Sequence, residues 1–163
     1  MKHSTKKLTT LAVTVSVAMV LSFIESRIPA FVAIPGIKVG LANIAVIFAM
    51  YKLGEEDAII ISGVRVILVS MLFGSTLSLL YSYAGAMLSF SVMVVLRRVV
   101  KMNTVGVSIA GGVSHNIGQI AVACIVMETN VIVYYLPYLI LSGIIAGIAV
   151  GAAAVLLIRR VKI

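Results

Sequence analysis

Apolar runs alternate along the chain with short polar segments, and the alternation predicts six helices. They are Leu8–Ser26, Val39–Lys52, Ala58–Phe73, Thr76–Leu96, Thr104–Met127 and Val131–Ile158. A hydrocarbon core of about 30 Å takes about 20 residues of α-helix to cross. The second and third runs are short at about 1.5 Å of rise per residue, so their ends are expected to reach into the neighbouring loops. Pro137 is placed to start the regular part of the last helix, because a first turn tolerates its missing N–H. The expected fold class is all-α, a polytopic six-helix transmembrane bundle forming one integral membrane domain over residues 1–163.

One polar run breaks the fifth segment. Gly111-Gly112-Val113-Ser114-His115-Asn116-Ile117-Gly118-Gln119 lies in the middle of the stretch from Thr104 to Met127. Groups that hydrogen-bond or titrate are costly at that depth and usually face a bundle interior or a cavity. His115, Asn116 and Gln119 can share one helical face. They either bond to other helices, at about 0.6 kcal/mol each, or form a binding surface. The bordering glycines allow a backbone or a ligand to come close.

Composition makes these helices membrane helices. The chain is 62% hydrophobic and 11% charged, against about 25% charged in an ordinary soluble domain. The net charge of +8 would suit nucleic acid, but the cations cluster between apolar runs, as topology signals do. With both termini inside, the inside segments hold Lys2, Lys6, Lys7, Lys52, Arg97, Arg98, Lys101, Arg159, Arg160 and Lys162, and the outside loops hold Arg27 and Lys38. The positive-inside rule then sets the orientation, with Tyr134, Tyr135 and Tyr138 at the outer interface. Glu55-Glu56-Asp57 reads as a solvated cytoplasmic turn near Lys52.

Arg65 is the remaining cation, near the centre of the third run. Arginine at a helix centre is unfavourable by about 2.5–3.5 kcal/mol on insertion scales. It forms an interhelical salt bridge, snorkels, or pairs with an anionic ligand. Glu25 is the nearest protein partner, near the outer end of the first helix. The loop from Pro29 to Lys38 is apolar, and Pro35-Gly36 reads as a turn. It either lies on the membrane surface or folds over a cavity mouth. Lys38 and Asn43 follow, in the same outer half as Gln119. Small-residue steps (Ala12 to Ser16 and Ala18 to Ser22 in the first helix, Gly143 to Gly147 to Gly151 in the sixth) permit close helix packing. In the first helix they also suit a face for a partner protein.

Most chemistries are excluded. A single cysteine, Cys124, rules out an internal disulfide, and two histidines, His3 and His115, do not make a zinc site. The chain contains no phosphate-cradling Gly-x-x-x-x-Gly-Lys-[Ser/Thr] loop, no Gly-x-Ser-x-Gly elbow and no His-Glu-x-x-His pair. Its one aspartate, Asp57, cannot supply the paired carboxylates that hold magnesium. No cofactor is expected, and no independent enzyme.

Four segments carry a resemblance. Glu25-Ser26-Arg27-Ile28-Pro29, Pro35-Gly36-Ile37-Lys38-Val39-Gly40-Leu41-Ala42-Asn43-Ile44, Arg65-Val66-Ile67-Leu68 with Leu72-Phe73-Gly74, and Ser114-His115-Asn116-Ile117-Gly118-Gln119 resemble the Gx transporter family, also labelled heptaprenyl diphosphate synthase component I. The resemblance covers roughly Leu21 to Ala123. That family is similar in architecture to the substrate-binding S components of energy-coupling factor (ECF) transporters. The resemblance implies a membrane subunit that captures a micronutrient or precursor from outside and docks on a transmembrane coupling protein carrying two ATPases. S components dock through alanines four apart on the first helix; the nearest match here is Ala12 with Ser16. Glu25, Lys38, Asn43, Arg65, His115, Asn116 and Gln119 are the expected ligand-binding residues, and the excess of cations favours an anionic ligand. The competing expectation is an accessory membrane subunit of a polyprenyl diphosphate synthase. Nucleic acid is not an expected partner. The expected location is a prokaryotic cytoplasmic membrane.

Overall fold

The computed structural model describes residues 5–27, 40–73 and 76–161, all of it helix and short connections. Six α-helices follow in order: α1 Thr5–Arg27, α2 Asn43–Lys52, α3 Glu55–Phe73, α4 Thr76–Arg98, α5 Thr104–Val126 and α6 Leu136–Arg160. A 3₁₀ turn, Val131–Tyr135, precedes α6. The stretches containing α1, α4, α5 and α6 are long and apolar enough to cross a membrane. The third helix carries three acidic residues in its first turn as well as Arg65, and α2 has only 10 residues. Large apolar side chains such as Met71, Ile125 and Leu141 point outward with more than half their surface exposed. This is a helical membrane protein.

Local chemistry sets the helix ends. Asn103 caps α5 by accepting the Gly106 N–H at 2.7 Å, as an N-cap side chain does. Pro137 stands in the first turn of α6, as its geometry demands. The expected second helix is shortened rather than extended. Gly40 adopts φ +73°, and a turn through Leu41 and Ala42 delays α2 to Asn43, four residues past the sequence boundary. A left-handed glycine cannot continue a right-handed helix. The third helix begins three residues early, at Glu55, because acids in a first turn complement the helix dipole.

The acidic run is a correction to the sequence reading, since it is no solvated turn. Asp57 is 3% exposed and meets Lys7 of α1 at 2.8 Å. Glu55 pairs with Arg97 at 3.2 Å and Arg98 at 2.7 Å, at the end of α4. Arg97 also lies over the Tyr51 ring, 4.7 Å from its centre. These pairs tie α1, α3 and α4 together at the end of the bundle where both termini lie. A surface ion pair contributes about 0–1 kcal/mol. A carboxylate as buried as Asp57 depends far more on its partner, because an uncompensated charge there is strongly destabilising.

The neighbours define a ring in the order α1, α2, α6, α5, α4, α3, closed by α3 against α1, with α2 also packed on α3. Its two sides are built differently. α4, α5 and α6 meet backbone to backbone through glycine. A Cβ at Gly85 would lie 2.7 Å from the His115 carbonyl oxygen, one at Gly112 would lie 2.7 Å from that of Gly143, and one at Gly147 would lie 2.5 Å from Ile109 Cα. The small-residue steps of the sixth helix are therefore internal packing. The apolar core, including Val46, Ile47, Met50, Ile61, Phe90, Met93 and Val150, fills the half nearest the termini. α2 reaches only that half, and the opposite half holds the polar residues.

Gly147→Ala is expected to destabilise the protein by about 1–3 kcal/mol, the usual cost of overpacking, because the added methyl meets backbone that cannot rotate away. Gly63, where an added Cβ would meet nothing within 4 Å, is the control. Gly63→Ala is expected to be neutral or slightly stabilising. Thermal unfolding of both variants in detergent checks the pair.

Candidate functional site

A cavity opens in the half of the bundle beyond the N-terminus of α2. Its volume is about 770 Å³, counting the open solvent at its mouth. Every helix contributes to it. α1 supplies Ser22 and Glu25, the start of α2 supplies Asn43, α3 supplies Arg65 and Ser70, and α4 supplies Ser82. α5 supplies Ser108, His115, Asn116 and Gln119, and Gly143 and Gly147 of α6 complete the wall. Polar side chains thus come from five of the six helices. Six of the seven expected ligand-binding residues share this one cavity. The seventh, Lys38, lies outside the described residues, as does the Pro29–Lys38 loop.

Arg65 is the unusual member. It is 9% exposed, it lines the cavity, and its Nε is buried without a hydrogen-bond partner among the described residues. Neither salt bridge nor snorkelling describes it. The ion pairs among the described residues join Lys7 to Asp57 and Arg97 and Arg98 to Glu55, all at the termini end. Glu25 is the carboxylate whose charge acts on Arg65 through space, without closing to ion-pair distance. Glu25 instead accepts the backbone N–H of Gly40, which fastens the start of α2 to α1. Buried polar groups are satisfied in the great majority of cases, so an orphaned guanidinium N–H calls for an outside partner.

The His–Asn–Gln face divides between the two roles the sequence left open. Asn116 donates its amide to the carbonyl of Leu139 in α6 at 2.7 Å, an interhelical bond. Gly143 makes room for it, since a Cβ there would stand 3.2 Å from the Asn116 nitrogen. His115 and Gln119 line the cavity while their helix backs onto Gly85 of α4. Gly112 and Gly118 serve helix approach, to α6 and α4, and Gly111 accommodates Met93. On α1, Ala12 and Ser16 face outward, whereas Ala18 and Ser22 turn into the bundle.

Ser70, Ser82 and Ser108 were not anticipated. Ser108 is the most informative, because its buried Oγ also has no partner in the protein. It stands two turns before His115 on the same face, and that spacing was the available signal. Serine in an apolar helix is commonly satisfied by its own backbone, as Ser16 is by the Ala12 carbonyl at 2.9 Å, which makes any one serine a weak pointer.

Residues 14–157 match the family described as heptaprenyl diphosphate synthase component I, and the chain belongs to that family. No curated protein and no solved structure matches it.

Arg65→Met is expected to stabilise the ligand-free protein by about 1–3 kcal/mol, since exchanging an uncompensated buried charge for an apolar side chain is favourable. Asn116→Ala, which removes a satisfied interhelical bond, is expected to cost about 0.6–2 kcal/mol. Unfolding midpoints of the two variants should move in opposite directions. A loss of stability in both would mean that Arg65 serves the bundle's own packing.

Proposed function

We propose that this member of the heptaprenyl diphosphate synthase component I family is a substrate-capture subunit of an energy-coupling factor-type importer, binding a small acidic molecule in the cavity. The buried Arg65, its Nε unpartnered among the described residues and bordering the cavity, carries this reading. An anion completes the guanidinium's hydrogen bonding where water cannot compete freely, and such charge-assisted bonds are roughly twice as strong as neutral ones. His115, Gln119 and Ser108 add donors and acceptors that orient the bound molecule.

The direction of capture follows from the cations. Lys6, Lys7, Lys52, Arg97, Arg98, Arg159 and Arg160 belong to the end of the bundle where the termini lie. By the positive-inside rule that end faces the cytoplasm of a prokaryotic cell, and the cavity opens outward. The chain has no phosphate-binding loop of its own, so transport takes its energy from partners: a transmembrane coupling protein with two ATPase subunits. Among the described residues α1 packs mainly on α2 and α3, and Ala12 and Ser16 are exposed, which suits them for docking. In this reading the chain is not itself an enzyme.

The family's description favours a second reading, a membrane accessory of a prenyl diphosphate synthase. There the cationic termini end, with Arg97, Arg98 and Lys101, would meet a diphosphate on the cytoplasmic side, and the cavity would have no assigned role.

Purification of the tagged chain in mild detergent from its host membranes separates the two. Co-purification of a membrane coupling protein with its ATPases is the expected result. Recovery of a soluble prenyl synthase without them would overturn the importer reading in favour of the accessory.

A further inference from the structure

The cavity reads more than acid. It holds one described cation, Arg65, and one described anion, Glu25, and the structure keeps them apart. A direct ion pair would be the simplest way to neutralise a buried arginine. The two side chains do not meet at ion-pair distance.

Two constraints hold Glu25 where it is. Its carboxylate accepts the Gly40 N–H, so it is fastened to the start of α2. Its depth is set by the tie between Lys7 and Asp57, which fixes the register of α1 against α3. From that tie Glu25 stands 18 residues along α1 and Arg65 stands 8 residues along α3. At 1.5 Å per residue their Cα atoms differ in depth by about 15 Å. The guanidinium reaches the cavity from its middle, and the carboxylate from the end away from the termini. Ser22, Ser70, Ser82 and the His115–Gln119 face line the same cavity.

Each charge retains unused capacity. A carboxylate offers about four lone-pair sites, and Gly40 takes one of them. The Arg65 Nε–H is unpartnered. A ligand carrying only negative charge would satisfy Arg65 while placing its own charge near Glu25, where like charges repel strongly in a medium of low dielectric constant. A ligand carrying only positive charge would meet the reverse problem. One molecule with a group of each sign satisfies both.

We propose that the captured molecule is amphoteric, with a carboxylate or phosphate on Arg65 and a basic nitrogen on Glu25. The inference rests on the capture reading and narrows it from acids in general to small molecules bearing both charges. Arg65 supplies the anchor at mid-depth. Glu25 reads the amine toward the mouth and rejects simple acids of the same size.

The test compares three purified proteins: the wild-type chain, Arg65→Met and Glu25→Gln, each taken in mild detergent from host membranes at matched gel-filtration elution. Glu25→Gln retains an oxygen to accept the Gly40 N–H, so it removes the charge and leaves the tether. Small molecules are released by denaturation and typed by accurate mass and by amine- and acid-selective derivatisation. The expected result is one compound, carrying both an acid and a basic nitrogen, enriched at least tenfold in the wild type over either variant. Enrichment of an acid without a basic nitrogen, or of an amphoteric compound that Glu25→Gln retains undiminished, would overturn this inference and leave acid capture standing. No compound enriched over Arg65→Met would overturn capture itself, and the amphoteric inference with it. Should Arg65→Met fail to fold, Glu25→Gln and the chemistry of the wild-type compound still decide the charge question.

Discussion

A helix that stops halfway sets the terms for the rest of this bundle. The helices α1, α4, α5 and α6 have bilayer length, whereas α2 begins at Asn43 and offers 10 residues, about 15 Å. Below its first turn the core closes on Val46, Ile47 and Met50. Beyond that turn, side chains from the surrounding helices face a cavity where a longer helix would have packed. Close packing otherwise leaves protein interiors few voids larger than a water molecule. Gly40, with its left-handed backbone, sets where α2 begins, and both it and Arg65 border the cavity.

The two sides of that space differ in how they are held. α4, α5 and α6 touch through glycine backbones, a contact that adds no flexible side chain to the interface and leaves little freedom to slide. This side carries His115, Asn116 and Gln119, so their positions are fixed by the main chain. The other side is tied to it at the termini end by charge, through Lys7 with Asp57 and through Glu55 with Arg97 and Arg98. Near the cavity mouth the tether on that side is the bond from Gly40 to Glu25.

The periodic part of this design was legible in the sequence and the pairwise part was not. Runs of apolar residues located all six helices to within a few positions, and the polar break in the fifth pointed to the cavity wall. The start of α2 was missed because Leu41 and Ala42 continue the apolar pattern, while the backbone at Gly40 had already turned. Asp57 was misread because its partner Lys7 lies 50 residues away in the chain, and no local spacing rule reaches that far. Separations of 42 and 43 residues hid the clamp on Glu55 in the same way. Arg65 shows the converse: its cost in a membrane depends on the residue alone, so one letter sufficed to mark it.

Asn116 and Arg65 together show how a polar group in a membrane helix can be assigned to structure or to function. Both were singled out for the same reason, the cost of polarity at depth. Asn116 has its partner within the chain, the Leu139 carbonyl, and Gly143 is shaped to permit it. Its cost is offset internally, so it joins α5 to α6 whether or not a ligand is bound. Arg65 and Ser108 have polar atoms that the protein leaves unpaired, and both border the cavity. A bundle shaped only for stability would have filled those positions with apolar side chains, which in a buried site are often as stable or more so. The polarity left unsatisfied, more than the polarity present, is what argues for a molecule that binds there.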